Sequence, residues 1–195
     1  MKKLADLTQD EIGQLYPVEI SPYDAQWPVL FRAERQRIAA ALGPANVRIE
    51  HFGSTAVPGL SAKDTLDLLI EQPSGANEPA GCIARMQEIG YEFMWQTDGN
   101  PPYLVFVRGY DPAHPKAQTY HVHMAPPEHA LWDRLYFRDY LRQHPAVAQE
   151  YAQLKQALAV QHRHARVAYR LAKTDFVTRV TREAKAQRPG GERQE

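Results

Sequence analysis

The chain has 195 residues, of which 44% are apolar and 24% charged, enough for one globular domain with its own core. Lysine plus arginine and aspartate plus glutamate number 23 each, so no global positive field recruits nucleic acid, and a small ligand or a protein partner is the better expectation. The single cysteine, Cys82, excludes an intrachain disulfide and a cysteine-rich zinc site, and no apolar run approaches the roughly 20 residues that span a bilayer.

The start, Met1 to Asp6, has basic residues but no apolar signal core after them, which reads as a cytoplasmic protein. Residues 1–20 are polar and weakly patterned and read as a mobile arm docking on the domain at 21–186. Ser21-Pro22-Tyr23-Asp24 is a turn leading into a helix that runs to about Leu42, with Asp24 as its cap and Pro28 in the first turn. Trp27, Leu30, Phe31, Ile38 and Leu42 recur at helical spacing and form its apolar stripe.

Val47 to Phe52 reads as a strand that stops at Gly53, a residue free to take backbone angles closed to others. Ser54 and Thr55 then offer two hydroxyls and two backbone N–H groups in a tight turn, the kind of concavity that cradles an anion. Beyond Lys63, Thr65 to Glu71 reads as a buried strand with Leu66, Leu68 and Ile70 on one face. Asp67 falls on the other face with Thr65, Leu69 and Glu71. A carboxylate there is costly unless a metal ion, a substrate or a cation compensates it.

A short helix with Cys82, Ile83, Met86 and Ile89 inward is expected to end at Gly90. Tyr91 to Gln96 and Pro102 to Arg108 read as an antiparallel pair joined across Thr97 to Asn100. Gln118 to Met124 reads as another strand, with Thr119, His121 and His123 on one face. Three helices follow: Glu128 to about Gln143, then to about Gln161, then Arg163 to Ala186. Gln187 to Glu195 reads as a disordered tail. The order implies an α/β or α+β fold whose C-terminal part is helical.

Twelve residues separate Ser54 from Asp67, enough for a loop to bring phosphate at the turn beside metal at the carboxylate. His121 and His123 point the same way, and can share a metal or meet an anion; two partly buried histidines bonded to backbone carbonyls explain them equally. Lys63 and Lys173 can meet phosphate oxygens, although solvated lysines are the commoner case. Asp64 points away from Asp67, and Glu71 lies about 13 Å along the strand. Arg134 and Arg138 share a helix face and can add positive charge near a ligand or pair with neighbouring acids such as Asp139. His162, Arg163, His164 and Arg166 read as a solvated turn between helices.

The sequence resembles the GrpB family. The likeness rests on Pro22-Tyr23-Asp24 with Trp27-Pro28, Phe31 and Glu34, and on Ile49-Glu50-His51-Phe52-Gly53-Ser54-Thr55-Ala56-Val57-Pro58-Gly59-Leu60. It continues through Tyr120-His121-Val122-His123, Phe137-Arg138-Asp139-Tyr140-Leu141, and Tyr169 with Lys173 and Phe176, covering about residues 18–180. The resemblance implies the nucleotidyltransferase-like fold, a mixed sheet flanked by helices. In that superfamily a Gly-Ser turn holds nucleotide phosphates, and alternating acids on the next strand, with a third from a later one, hold divalent metal. Gly53, Ser54 and Asp67 match that pattern. Leu69 stands where the second acid is expected, and His121 and His123 supply imidazole on the later strand. Relatives fused to dephospho-coenzyme A kinase associate the family with nucleotide or coenzyme metabolism.

Two functions are therefore expected to compete. In one, a metal-dependent nucleotidyltransferase acts on a small molecule or protein: Ser54 and Thr55 hold a triphosphate, Lys63, Lys173, His121 and Arg138 help bind it, and Asp67 with His123 holds one Mg²⁺ or Mn²⁺. In the other, a module binds a nucleotide or related phosphate ligand without turnover, as Leu69 favours.

Overall fold

The strand Thr65–Glu71 (β2) alternates as its sequence does, with Leu66, Leu68 and Ile70 fully enclosed on one face. It is the second strand of a five-stranded mixed sheet. The computed structural model describes residues 4–43, 47–73, 79–97, 101–114 and 116–187. Along one edge, Ile49–Phe52 (β1) runs antiparallel to β2 and sets Phe52 opposite Asp67. On the other side Thr119–Ala125 (β5) runs parallel to β2, pairing Asp67 with His121 and Leu69 with His123. A parallel neighbour demands a long crossover. Here it contains helix Pro79–Glu88, then Glu92–Gln96 (β3) and Leu104–Arg108 (β4), which complete the order β1-β2-β5-β4-β3. The turn expected at Thr97 to Asn100 lies, at residues 98–100, outside the described residues, as does the tail from residue 188.

Helices cover both faces, numbered in chain order as Gln9–Leu15 (α1), Trp27–Leu42 (α2), Pro79–Glu88 (α3), Arg134–Gln143 (α4), Pro145–Gln161 (α5), Arg166–Leu171 (α6) and Thr174–Ala186 (α7). The even face of β2 packs on Trp27, Ile38 and Leu42 of α2 and on Cys82 and Met86 of α3. Each such aliphatic side chain contributes about 1.5–3 kcal/mol by leaving water. The opposite face carries Leu69 against Phe52, Ala125, Trp132 and Leu135. A further core of Val57, Leu60, Phe137, Leu141, Tyr151 and Val180 joins the loop after β1 to the C-terminal helices. No helix among the described residues is long and apolar enough to cross a membrane.

Three elements differ from the sequence reading. The N-terminal arm contains α1, started by a reciprocal cap in which Glu11 N–H donates to the Thr8 hydroxyl and Thr8 N–H to the Glu11 carboxylate. Its sparse apolar residues hid the helix. The basic turn at His162–Arg166 secures this arm: Val18 N–H donates to the Arg163 carbonyl at 2.7 Å, and Arg166 donates to the Tyr16 carbonyl at 2.6 Å. The helix expected from Glu128 starts later, after a 3₁₀ turn at Ala130–Asp133, with His129 Nδ1 accepting from Leu131 N–H. The helix expected over Arg163–Ala186 is two helices, α6 and α7, broken at Ala172 and Lys173, where Lys173 turns its ammonium onto the Tyr169 ring.

Glu34, on the inward side of α2, is only 4% exposed. Tyr91 donates its hydroxyl to one carboxylate oxygen at 2.8 Å, and Arg37 and Arg108 pair with both oxygens. Removing the carboxylate strands the partly buried Arg108 and the Tyr91 hydroxyl. Glu34→Ala is expected to lower unfolding free energy by about 2–3 kcal/mol, and Glu34→Gln by less, because the Tyr91 bond survives. Urea unfolding midpoints with unchanged slopes check this; equal losses in both variants would refute the charge-network account.

Candidate functional site

The site begins where β1 ends. Gly53 has φ 74° and ψ −171°, a region that side-chain-bearing residues rarely adopt. A Cβ on Gly53 would stand 2.2 Å from Asp67 Oδ2, so the missing side chain is what admits the carboxylate. The turn then tightens into a 3₁₀ segment, Ser54–Ala56, with Ala56 N–H donating to the Gly53 carbonyl at 3.3 Å and Val57 N–H to that of Ser54 at 3.2 Å.

The two hydroxyls of the turn have different fates. Thr55 is buried; its hydroxyl donates to the Thr65 carbonyl at 3.2 Å and meets His51 Nε2 at 3.0 Å. With the Thr55 proton committed to that carbonyl, His51 Nε2 must carry the proton between them. Burial, reinforced by Arg142 and Arg138, keeps this imidazole neutral with a pKa of about 3. Thr55 is thus a structural tie between β1 and β2. Ser54 instead faces the Tyr151 phenol, on the side of the C-terminal helices.

Asp67 is recessed, its side chain retaining 29% exposure. His121 sits across from it, with Nδ1 3.8 Å from Oδ1. Its Nε2 meets the Tyr110 hydroxyl at 2.6 Å, while Arg166 donates to that same hydroxyl at 3.3 Å. A phenol accepting from Arg166 has its own proton for Nε2, which leaves Nδ1–H facing Asp67. Burial, then the charges of Lys63, His123 and Arg166, holds the His121 pKa well below its usual range, so the ring is neutral. His123 lies two pairs further along, opposite Leu69, flanked by the rings of Phe52 and Tyr103. Its Nδ1 is buried with no hydrogen-bond partner among the described residues, and burial brings its pKa down to about 4. The structure therefore brings His121, rather than His123, to Asp67.

Cations surround this carboxylate. Burial raises the Asp67 pKa, while the charges of Lys63, Lys173 and Arg134 oppose that rise. Lys63 is pushed down by burial and by Arg166 and Lys173, against the pull of Asp67. Lys173 is lowered to about 8, chiefly by burial. Its ammonium lies 4.0 Å over the Tyr169 ring, and that of Lys63 5.8 Å from the same ring. Lys155 is enclosed nearby, donates to the Ser61 carbonyl, and is brought by burial to about 7. From Lys173 and Arg134 a cleft of about 640 Å³ extends along α7, its lining including Arg170, Arg182 and Lys185. The one acid of that lining, Asp133, is paired with Lys185 at 2.6 Å.

Of the residues expected at the site, Gly53, Ser54, Lys63, Asp67, His121 and Lys173 are gathered here. Arg138 is engaged elsewhere: it binds Glu50 at 2.8 Å, Asp139 at 2.7 Å and the His51 carbonyl at 2.9 Å, tying α4 to β1. Asp64 accepts from the Trp27 indole at 2.8 Å, away from Asp67. Tyr110, Lys155, Arg170 and the pocket role of Arg166 have no sequence motif to announce them; spacing along α6 alone would have grouped Arg166, Tyr169 and Arg170.

The family model described as GrpB protein matches residues 17–183. A UPF0157 protein of Pseudomonas aeruginosa is 42% identical over 165 residues, covering 84% of this chain and 66% of that protein. The UPF0157 protein YqkA of Bacillus subtilis is 34% identical over 183 residues, covering 92% of this chain and 51% of that protein. The chain thus spans about two thirds and about half of these two relatives. The crystal structure of the conserved protein GrpB from Enterococcus faecalis superposes with a TM-score of 0.73 and 30% identity, over 85% of this chain and 96% of that one.

Gly53 and Gly59 provide a matched comparison, since both have positive φ, 74° and 76°, but a Cβ at Gly59 would meet nothing within 4 Å. Each alanine substitution carries a backbone cost of about 1 kcal/mol. Gly53→Ala is expected to cost at least about 1 kcal/mol more, because Asp67 must move. Denaturant melts of the two variants measure the difference, and equal losses would show that Asp67 does not press on the turn.

Proposed function

The chain belongs to the GrpB family, and we propose that it is a nucleotidyltransferase-like protein that binds a nucleotide or a related phosphate-bearing small molecule beside the Gly53 turn. One observation carries this reading. Lys63, Lys173 and Arg134 all act on a single recessed carboxylate, Asp67, and the cationic lining continues into the adjoining cleft. In a chain of zero formal net charge, bringing like charges together under partial burial is unfavourable unless an anion joins them. A phosphate group meets that requirement. Lysines bind it as point charges, arginines through paired N–H groups, and the Ser54 hydroxyl adds a neutral donor.

The fold type also implies a divalent metal, Mg²⁺ or Mn²⁺, and the residues present do not fit one. Such hard cations prefer several oxygen ligands. Among the described residues Asp67 is the one carboxylate at the pocket floor, and Leu69, two residues along the same strand face, is sealed in the core. Among the described residues no group of three or more histidine, cysteine or acidic side chains is arranged to hold a metal. Nearby lysines would repel one. Binding without nucleotidyl transfer is therefore the better-supported reading.

Thermal unfolding in the presence of nucleoside triphosphates and coenzyme A precursors tests it. A ligand at 100 times its dissociation constant should add about 2.7 kcal/mol of stability. Ser54→Ala should weaken that ligand by about 1–2 kcal/mol. No shift with any phosphate compound would refute the reading.

The lysines also predict a pH effect in the free protein. Lys173 at about 8 and Lys155 at about 7 bind fewer protons folded than unfolded, where lysine titrates near 10.5. The unfolded state binds the extra protons, so these groups make stability rise with pH above about 7, until the unfolded lysines have also titrated. Urea melts from pH 7 to 9.5 should show that rise, reduced in Lys173→Met; an unchanged slope in the variant would contradict it.

A further inference from the structure

A phosphate chain brings several negative charges into its site, and something there must match them. In this pocket the groups placed to do so are side chains. Lys63 and Lys173 share the Tyr169 ring, at 5.8 and 4.0 Å. Arg134, Arg170 and Lys173 line the near part of the 640 Å³ cleft, and Tyr151, which faces Ser54, lines it too. Tyr151 and Lys173 thus stand between the cleft and the side of the Gly53 turn. A single phosphate would engage only one end of this series of cations.

We infer that the site takes a ligand with at least two linked phosphoryl groups and binds it without a divalent metal, one group between the Gly53 turn and Lys63 and the next against Lys173 and Arg134. The inference rests on the phosphate-binding reading and adds to it both the ligand class and the source of the neutralising charge. Asp67 then has a different task from a metal ligand. It is a positioning residue, a counter-charge that holds Lys63 and Lys173 in the pocket when no anion is bound. Its contact with Gly53 keeps it from following those lysines outward. An anion arriving between the two ammonium groups takes over part of that task, and nothing in the arrangement asks for a second carboxylate. Leu69, two residues along the same strand face, is packed among Phe52, Ala125 and Trp132 and offers no such carboxylate.

Calorimetric titration of the full chain with inorganic tripolyphosphate tests this, in EDTA and separately in excess MgCl₂. Wild-type protein should bind in EDTA at least as tightly as in Mg²⁺. Asp67→Asn should still bind in EDTA, because it removes a negative charge without removing a ligand of any metal. Lys173→Gln should lose about tenfold in both buffers, and Lys173→Arg, which keeps the charge, should retain most of the affinity and shows that the position tolerates substitution. Binding seen only with Mg²⁺ and lost in Asp67→Asn would overturn the metal-free inference while leaving phosphate binding standing. Absence of binding in both buffers would overturn both, and unchanged affinity in Lys173→Gln would remove the lysine from the site.

Discussion

The approach of the Asp67 carboxylate to the Cα of Gly53 determines what the rest of the site can be. The antiparallel register sets Phe52 opposite Asp67, so the first residue of the turn lies directly over the carboxylate. Only a residue with no side chain leaves room, and the same residue supplies the positive φ that bends the chain away from the sheet. Asp67 is thereby fixed at the base of a pocket whose walls come from elsewhere: His121 from the parallel neighbour, Lys63 from the connecting loop, Lys173 from the junction of α6 and α7. None of these would have a fixed carboxylate to face if the turn were wider.

Electrostatically the pocket inverts a familiar arrangement. Acids clustered on a strand repel one another and call for a cation; here amines and guanidinium groups cluster around one acid. The cost of that cluster is visible in the lowered lysines, whose charged forms are disfavoured first by burial and then by neighbouring cations, the arginines among them. The histidines respond in the same direction, His121 and His123 both being held neutral at ordinary pH by burial and adjoining positive charge. They serve as hydrogen-bonding and packing groups rather than as added charge. Arg138, by contrast, is matched by Glu50 and Asp139 and contributes to holding the sheet edge against α4.

How far these features can be read from sequence depends on their range. β2 was readable to the residue because a strand with one apolar face and Asp67 in the other has a period of two, and the ordered structure obeys it from Thr65 to Glu71. Gly53-Ser54-Thr55 was readable as a turn, but the separate roles of its hydroxyls were not, since they depend on His51 below and Tyr151 above. His121 and His123 share a face, and alternation alone cannot choose between them. The register of β5 against β2 makes the choice, and that register is a long-range property. The break before α7 has no glycine or proline to mark it; it is drawn by Lys173 onto Tyr169. The arm shows the converse, a helix with a plain capping box whose apolar face was too short to stand out.

The parallel pairing of β2 with β5 has a kinetic consequence. Thr65 and Thr119, whose hydroxyls meet at 2.8 Å, are 54 positions apart in the chain, and Lys173 lies further on still. Joining such distant segments requires the loop-closure entropy to be overcome before the contacts form, which places this pairing among the slow steps of folding. The local hairpins β1–β2 and β3–β4 have no such barrier. The turn and its carboxylate therefore belong to a unit that can form early, whereas the cations that make the pocket selective arrive only as the second half of the chain closes over it. An incompletely closed chain would carry the Gly53 turn and Asp67 with no cationic wall, and so would present an acidic surface in place of a basic cleft.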